Sequence, residues 1–364
     1  MLPLEGLKVV AIEQAVAAPF ASSRLADAGA HVVKIERPEG DFARGYDDVA
    51  AGQSSYFVWL NRGKESVTLD LVSGEGKAAL AGLLADADVL IQNLKPGSLA
   101  RLGFDPARLR ADFPRLITCS ISGYGEDGPL AGRKAYDLLI QAESGLCSIT
   151  GGPSEPARVG VSIVDIATGA TAHAAILEAL IRRGITGQGA QISVSMFDVM
   201  ADWLTVPLLN HEGGNTPKRV GLAHPSIAPY GVFQPKSGAP VLISIQSDRE
   251  WVKLCNDFLN DAALASDPRF ATNVARVKNR DQTDAIVAAA FATYDAAEAI
   301  ALLADANIAL ASVNDMAGLS GHAHLRRITV DSPNGPVSFP APAAIFADET
   351  RSYGAVPALN PLEG

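Results

Sequence analysis

The stretch "LKVVAIEQAVAAPFASSRLADAGAHVVKIE", residues 7–36, decides the fold. Its two ends, "LKVVAIE" and "HVVKIE", are mostly apolar and β-branched, as buried strands are. Between them, "APFASSRLADAGA" has the composition of a helix and runs into a glycine, a common helix stop. A strand, a helix and a strand within thirty residues indicate a βαβ unit. The sequence therefore predicts an α/β protein with a parallel sheet.

The same alternation continues over a large domain, which we assign to residues 1–209. Further strands are expected in "LITCSISG" (116–123) and "QISVSM" (191–196), with helices between them. Helices on both faces of such a sheet give a doubly wound, Rossmann-like fold. The first turn, "EQAVAAPF", lacks the glycine-rich motif of dinucleotide-binding proteins, and we expect no permanently bound cofactor.

A smaller α+β domain is predicted for residues 225–324, after a Gly-, Pro- and Asn-rich linker at 210–224. It opens with a hairpin in "YGVFQPKSGAPVLISIQ", turning at Pro235 to Gly238, and continues with three helices. The C-terminal segment 325–364 contains strand-like residues and is expected to rejoin the large domain.

Bulk composition excludes several classes of protein. The formal net charge of −10 argues against nucleic acid as a partner, because a phosphate backbone requires a basic face. The apolar runs are short and no signal-like segment opens the chain, so we expect no membrane partner. The 3 cysteines are widely spaced, which supports neither a disulfide framework nor a metal site. The default expectation is a cytoplasmic location.

A carboxylate marks the start of a long helix in "VSIVDIATGATAHAAILEALIRR", residues 161–183. Apolar residues recur there at helical spacing, and Gly184 is the expected stop. Asp165 therefore sits at or just before the first turn. It is either an N-cap, which satisfies free backbone N–H groups, or a nucleophile kept ionised by the same groups.

Basic residues follow the predicted strand ends. Arg37, Lys95 with Arg101, and Arg133 all come after such strands, at the edge where an open parallel sheet binds ligands. Each alone is an ordinary surface charge, but together in an acidic chain they indicate phosphate binding.

Motifs along nearly the whole chain resemble the class III coenzyme A transferases. They are "LEGLKVVAIEQAVAAPFASSRLADAGAHVVKIERPEGDFAR", "NRGKESVTLDL", "QNLKPGSLARLGF", "ISGYGEDGP", "YDLLIQAESGL" and "ITGQGAQISVSMFD". That superfamily includes formyl-CoA, carnitine and succinyl-CoA-dependent dicarboxylate transferases, and also α-methylacyl-CoA racemases.

The resemblance implies a fold, an assembly and a mechanism. Two chains would interlock as a homodimer, with acyl-CoA and a small carboxylic acid as substrates. Asp165 would attack the thioester, form a mixed anhydride and then carry CoA as an aspartyl thioester. In the same way, Arg37, Arg101 and Arg133 would hold the phosphates of CoA, and Asn93 would line its pantetheine channel.

Three further positions are candidates for a substrate pocket: Val16, Tyr136 and His224. Racemases of the superfamily carry a histidine where this chain has Tyr136, and proton transfer between two faces of a carbon takes two bases. Transfer is therefore favoured over racemisation. Tyr136 could instead be a core aromatic residue, and His224 a structural loop residue.

Two rival functions stay open at this point: an acyl-CoA racemase or epimerase, and a CoA-binding protein without turnover. "NRGK" (61–64) is either a motif at the CoA entrance or a tight turn with solvated charges. The tail "VPALNPLEG" (356–364) departs from the superfamily pattern, which leaves its packing in doubt.

Overall fold

The computed structural model describes residues 1–359 as a mixed α/β protein, as the sequence predicts. Within these residues the strands are β1 (Lys8–Ile12), β2 (His31–Glu36), β3 (Lys64–Thr68), β4 (Val89–Gln92), β5 (Ile117–Ser122), β6 (Gln191–Ser195), β7 (Tyr230–Phe233), β8 (Val241–Ser244), β9 (Ala309–Ser312), β10 (Arg327–Val330) and β11 (Val337–Pro340). The α-helices are α1 (Ala17–Asp27), α2 (Ser55–Asn61), α3 (Gly74–Ala85), α4 (Ser98–Arg101), α5 (Pro106–Asp112), α6 (Asp137–Glu143), α7 (Leu146–Ile149), α8 (Ile163–Thr186), α9 (Met196–Trp203), α10 (Thr205–Glu212), α11 (Asp248–Asp257), α12 (Asn273–Lys278), α13 (Arg280–Phe291), α14 (Ala296–Asp305) and α15 (Met316–Ser320).

A six-stranded parallel sheet in the order β3-β2-β1-β4-β5-β6 organises the first of two compact units. This first unit consists of residues 1–146, 158–208 and the C-terminal segment from Arg326. Val9 of β1 lies opposite Val32 of β2 on one side and Val89 of β4 on the other. The strand order reverses between β1 and β4, and such a switch point opens a crevice at the carboxyl ends of the strands.

Close packing of α1 against α8 forms one layer on this sheet. Gly169 of α8 makes it possible, because a Cβ there would lie 2.5 Å from the Ala17 carbonyl oxygen and 2.8 Å from the Phe20 Cβ. By length and composition α8 could cross a membrane. Its buried side chains, such as Ala172 and Ile176, belong to the core of the first unit, which accounts for its apolar character.

The predicted end of α8 is wrong by one turn. The helix runs through Gly184 to Thr186, and Gly187, with φ of 72°, is its C-cap. The last turn is fixed to the sheet because Arg183 pairs with Asp88 at 2.8 Å. A helical glycine costs only about 1 kcal/mol, so this packing overrides the local stop signal.

The second unit consists of residues 147–157 and 209–325. Its antiparallel sheet has the order β7-β8-β9, and it contains the predicted hairpin of β7 and β8. Trp251, Phe258 and Phe291 lie in its core.

Two features of this division differ from the boundaries expected from sequence. Residues 210–224, expected as a linker, belong to the second unit, and so do residues 147–157. Arg219 binds the latter segment, since its guanidinium donates to the carbonyl oxygens of Gly152 at 3.0 Å and Ser148 at 3.2 Å. Contacts between segments so far apart in sequence leave no local pattern.

The C-terminal segment belongs to the first unit. Strands β10 and β11 pair antiparallel, and the Gly63 N–H donates to the Ala355 carbonyl oxygen at 2.8 Å. The atypical tail at 356–364 is described only as far as Leu359, and its remainder lies outside the described residues.

Candidate active site

A cavity of about 510 Å³ opens at the carboxyl ends of β1, β4 and β5, within the first unit. Five of the residues predicted from sequence line it together: Val16, Asn93, Arg133, Tyr136 and Asp165. They come from segments spread between Val16 and Asp165 in the sequence. The sheet's switch point therefore brings together the residues that the sequence could only propose separately.

Asp165 is the third residue of α8 and lies inside its first turn. Its carboxylate accepts no hydrogen bond from residues 1–359, so the N-cap interpretation is wrong. Burial, reinforced by the negative charge of Asp137, raises the pKa of Asp165 to about 7. The carboxylate is therefore partly buried, free of protein donors and faces the cavity.

Asp137 supplies the cap that Asp165 does not. It is the first residue of α6, and its Oδ1 accepts the N–H of Val164 at 2.8 Å and that of Asp165 at 3.4 Å. Ser162, which precedes α8, makes no capping bond with its side chain. Asp137 is absent from the candidate residues identified from the sequence, because its contact with α8 joins segments far apart in the chain.

The first βα turn forms another wall of the cavity. Asn93 clamps it with two bonds, because its Oδ1 accepts the Gln14 N–H at 3.0 Å and its Nδ2 donates to the Gln14 carbonyl oxygen at 2.8 Å. Ala15 adopts a φ of 64°, which is rare for a residue with a Cβ. Its N–H donates to Asp41 Oδ1 at 3.1 Å. Asn93 thus lines the cavity and also holds the turn that precedes Val16.

A buried ionic cluster lies beneath this turn. Lys64 Nζ donates to Glu13 Oε1 at 2.6 Å, and Lys34 Nζ donates to Asp41 Oδ2 at 2.9 Å. None of these four side chains has any exposed area. The "NRGK" segment does form a tight turn, with Gly63 at a φ of 70°. Its charges are not solvated, however, since Lys64 belongs to this cluster.

Phenol groups line the same cavity as the Asp165 carboxylate. Tyr46 and Tyr56 line the cavity with their rings 5.6 Å apart, and the Tyr56 hydroxyl lies 3.2 Å from Ser162 Oγ. Burial, with the charges of Asp41 and Asp165, raises the pKa of Tyr46 to about 12. Tyr136 is 58% exposed, so it is not a core aromatic residue. Sequence reasoning missed Tyr46 and Tyr56, which only the fold brings near Asp165.

The three predicted phosphate-binding arginines have different surroundings. Arg133 lines the Asp165 cavity, where it pairs with Glu143 at 2.6 Å. Arg37 lines a second cavity of about 360 Å³. The exposed Arg101 lines neither of these two cavities and donates to Ser98 Oγ at 2.7 Å.

The two cavities adjoin each other. Gln14 and Leu94 line both, so the Arg37 cavity lies next to the one that holds Asp165. An extended ligand could therefore lie across the carboxyl edge of the sheet, with one end beside Arg37 and the other beside Asp165.

His224 lies in the second unit. Its ring stacks on Tyr230, with centroids 5.3 Å apart, and its Nδ1 accepts the Ser226 N–H at 3.1 Å. These contacts fit a residue that shapes the loop before β7.

This fold and cavity define a Rossmann-like enzyme with a free carboxylate at the switch point of its sheet. The chain belongs to CoA-transferase family III, whose profile matches residues 4–361. The resemblance drawn from the motifs is confirmed. The protein is a class III CoA-transferase, and the reaction class is transfer of CoA from an acyl-CoA to a carboxylic acid.

Named relatives and solved structures agree with this assignment. The succinate–glutarate CoA-transferase of Agrobacterium fabrum is 39% identical over 295 residues, which cover 78% of this chain and 73% of the relative. The acetyl-CoA:oxalate CoA-transferase of Acetobacter aceti is 38% identical, with coverage of 86% and 82%. A CAIB/BAIF family protein from Brucella suis has a TM-score of 0.82 at 37% identity, covering 98% of this chain and 95% of its own.

Proposed function

We propose that the protein transfers CoA from a short acyl-CoA, such as succinyl-CoA, to a small mono- or dicarboxylic acid, with Asp165 as the nucleophile. The observation that carries this proposal is the free Asp165 carboxylate facing a cavity that adjoins the Arg37 cavity. The name of the Agrobacterium relative supports succinate and glutarate as the class of acid.

The proposed reaction has four covalent steps, which alternate between anhydride and thioester. The Asp165 carboxylate attacks the thioester carbonyl, and CoA leaves as a thiolate, which produces an acyl-aspartyl anhydride. The thiolate then attacks the aspartyl carbonyl, releases the donor acid and forms an aspartyl-CoA thioester. The acceptor carboxylate attacks that thioester to give a second anhydride, and CoA thiolate takes the new acyl group. Each step conserves the energy of the thioester, which direct hydrolysis would lose.

CoA would lie across the two adjoining cavities. Its nucleotide end fits beside Arg37, where a guanidinium can form charged hydrogen bonds with phosphate. Its thioester end would then extend past Gln14 and Leu94 to Asp165. Arg101 and Arg133 are proposed to complete the phosphate contacts, for which Arg133 would share or leave its bond with Glu143.

The cavity disfavours racemisation. No histidine is among the residues that line it. The resemblance to the superfamily implies that Tyr136 stands where racemases carry their second base. The third alternative, binding without turnover, depended on Asp165 being only a cap, and Asp137 holds that role instead.

A homodimer of interlocked chains is proposed as the assembly, located in the cytoplasm. The first unit exposes large apolar side chains along α8, α9 and the start of α10, including Ile181, Ile185, Trp203 and Val206. Large exposed apolar side chains on three successive helices are typical of an interface, and the resemblance to the superfamily supports a second copy of the chain as its occupant. Chains that interlock should not exchange with a mass-labelled copy under native conditions, but should exchange after joint unfolding and refolding. Exchange without unfolding would contradict interlocking.

The test of the mechanism is intact-protein mass spectrometry. Wild type mixed with succinyl-CoA should gain a covalent adduct on Asp165 that hydroxylamine intercepts, whereas Asp165→Asn should gain none and lose turnover by several orders of magnitude. Asp198→Asn is a matched control, because Asp198 is likewise the third residue of its helix, α9, but does not line the cavity. Near wild-type transfer by Asp165→Asn, with the substitution verified, would rule out this nucleophile.

A further inference from the structure

Two aspartates meet at the start of α8 and have different hydrogen bonding. The first N–H groups of a helix have no partners within it, and a nearby carboxylate normally satisfies them. Here Asp137, from α6, accepts the Val164 N–H at 2.8 Å. The carboxylate of Asp165, although on α8 itself, takes no part in capping.

A second contact fixes the orientation of Asp137. Its Oδ2 accepts a hydrogen bond from Gln141 Nε2 at 2.7 Å, one turn further along α6. Gln141 has no exposed area, and its Oε1 accepts the Val159 N–H at 2.8 Å. Both ends of the glutamine are therefore engaged. The chain of bonds from Val159 through Gln141 and Asp137 to Val164 holds both the start of α8 and the segment before it.

Asp137 is the negative group close to Asp165. The other ionisable groups that line the cavity are three phenols, Tyr46, Tyr56 and Tyr136, and three cations, Lys95, Arg133 and Lys134. On α1, which packs along α8, Arg24 and Asp27 lie near His173 instead, about two turns beyond Asp165. Burial comes first and the Asp137 charge second in raising the pKa of Asp165.

We propose that Asp137, oriented by Gln141, is a positioning residue: it caps α8 in place of Asp165 and so leaves the Asp165 carboxylate free to attack the thioester. Its negative charge also acts on that carboxylate. The inference rests on the proposed role of Asp165 as nucleophile. A nucleophile bound by helix N–H groups would be stabilised in its ionised form and less reactive. Because the cap comes from α6, one aspartate satisfies the N–H groups of α8 and the other remains available as the nucleophile.

The pH dependence of kcat/KM tests the proposal. Asp137→Asn keeps an oxygen that can accept the Val164 N–H, but it removes the negative charge. The acid limb of the profile, near pH 7 in wild type, should therefore move to lower pH by about 1 unit, because a like charge no longer raises the pKa of Asp165. The KM for acyl-CoA should change little, since Asp137 acts through Asp165.

A double variant separates charge from hydrogen bonding. In Asp137→Asn alone, the new amide N–H₂ meets the Gln141 N–H₂, so two donors face each other. Adding Gln141→Glu restores an acceptor for that amide and another for the Val159 N–H. The double variant should recover the thermal stability that the single variant loses and should show a smaller displacement of the acid limb, because the new carboxylate takes the place of the Gln141 amide, which lies 2.7 Å from Asp137 Oδ2.

The outcomes distinguish this proposal from the proposed function. An acid limb that stays at the wild-type pH in both variants, while the adduct still forms on Asp165, would overturn the role of Asp137 and leave the nucleophile intact. An absence of any adduct on wild type would instead contradict the nucleophile. Asp198→Asn, which removes an exposed aspartate at the same helical position, should leave the acid limb where it is.

Discussion

Lys64 Nζ donates a hydrogen bond to Glu13 Oε1 at 2.6 Å, and neither side chain has any exposed area. Lys34 lies 3.6 Å from the same carboxylate oxygen. Burial alone would raise the pKa of Glu13, but the charges of Lys64 and Lys34 outweigh it and the pKa is lowered. This cluster connects β1, β2 and β3 directly beneath the strained turn at Ala15, so it supports one wall of the active site.

Replacing Glu13 should destabilise the protein strongly. Glu13→Gln leaves buried lysine charge without its partner, which typically costs about 3 to 5 kcal/mol of the free energy of unfolding. Urea titration at pH 7 measures the loss. The pKa of Glu13 is lower in the folded protein than in the unfolded chain. Glu13 therefore stabilises the fold at pH values above its pKa in the unfolded chain, and this stabilisation is lost as the pH falls through its pKa in the folded protein. The difference in unfolding free energy between wild type and Glu13→Gln should therefore narrow below pH 4.5.

An exposed ion pair provides the control for this variant. Lys8 and Asp86 lie 3.3 Å apart with side chains 53% and 77% exposed. Asp86→Asn should cost less than about 1 kcal/mol, since solvent screens such pairs. Equal losses of unfolding free energy in Glu13→Gln and Asp86→Asn would show that burial does not determine how much the Glu13 cluster stabilises the protein.

The parts of the fold predicted from sequence are those with local, repeated signals. The βαβ unit at residues 7–36 alternates apolar strands with a helix, and β1, α1 and β2 lie where that pattern places them. The position of Asp165 at the start of a helix was likewise readable from the apolar spacing of α8.

Contacts between distant segments could not be predicted. Asp137 caps a helix that begins 26 residues later in the chain, and no local motif records that relation. Lys34 gave a usable signal, because a charged residue inside the apolar strand "HVVKIE" must find a buried partner. The identity of that partner, however, depends on how β1, β2 and β3 align.

Loss of Arg37, Arg101 or Arg133 should weaken CoA binding. A charged hydrogen bond contributes roughly 1.5 to 3 kcal/mol, so each alanine variant should raise the Kd for CoA about ten- to hundredfold, as measured by calorimetry. Arg108→Ala is a suitable control, since Arg108 is exposed and paired with Asp112 on α5. Unchanged affinity in all three test variants would remove these residues from the binding site.

Tyr136→His should introduce exchange of the α-proton. Wild type incubated with an α-methylacyl-CoA in heavy water should show no deuterium incorporation, because tyrosine is a weak base near neutral pH. An imidazole at position 136 would lie in the same cavity as Asp165 and supply the second base. Tyr136→Phe removes the hydroxyl without adding a base, and should show no deuterium incorporation at the α-carbon. Rapid exchange by wild type would favour the racemase interpretation.

Removing the charge of Asp165 should stabilise the protein while abolishing transfer. Burial and the charge of Asp137 raise the pKa of Asp165 to about 7 in the folded state, from an ordinary value of 3.8. Between these pH values the folded protein retains a proton that the unfolded chain has lost, so this group makes the protein less stable as the pH rises. The loss of stability is small below pH 3.8, the ordinary pKa, and complete above about pH 7, the pKa in the folded protein.

Thermal unfolding of wild type and Asp165→Asn at several pH values tests this relation. The variant should have the higher Tm at pH 8, and its advantage should shrink towards pH 4, where both proteins are uncharged at this position. Asp198→Asn should show no such dependence, because Asp198 is exposed on α9. A stabilisation of Asp165→Asn that is equal at pH 4 and pH 8 would mean that the effect arises from packing. A stabilisation confined to high pH would show that the active site holds its carboxylate at a cost to the fold, as stability–activity trade-offs require.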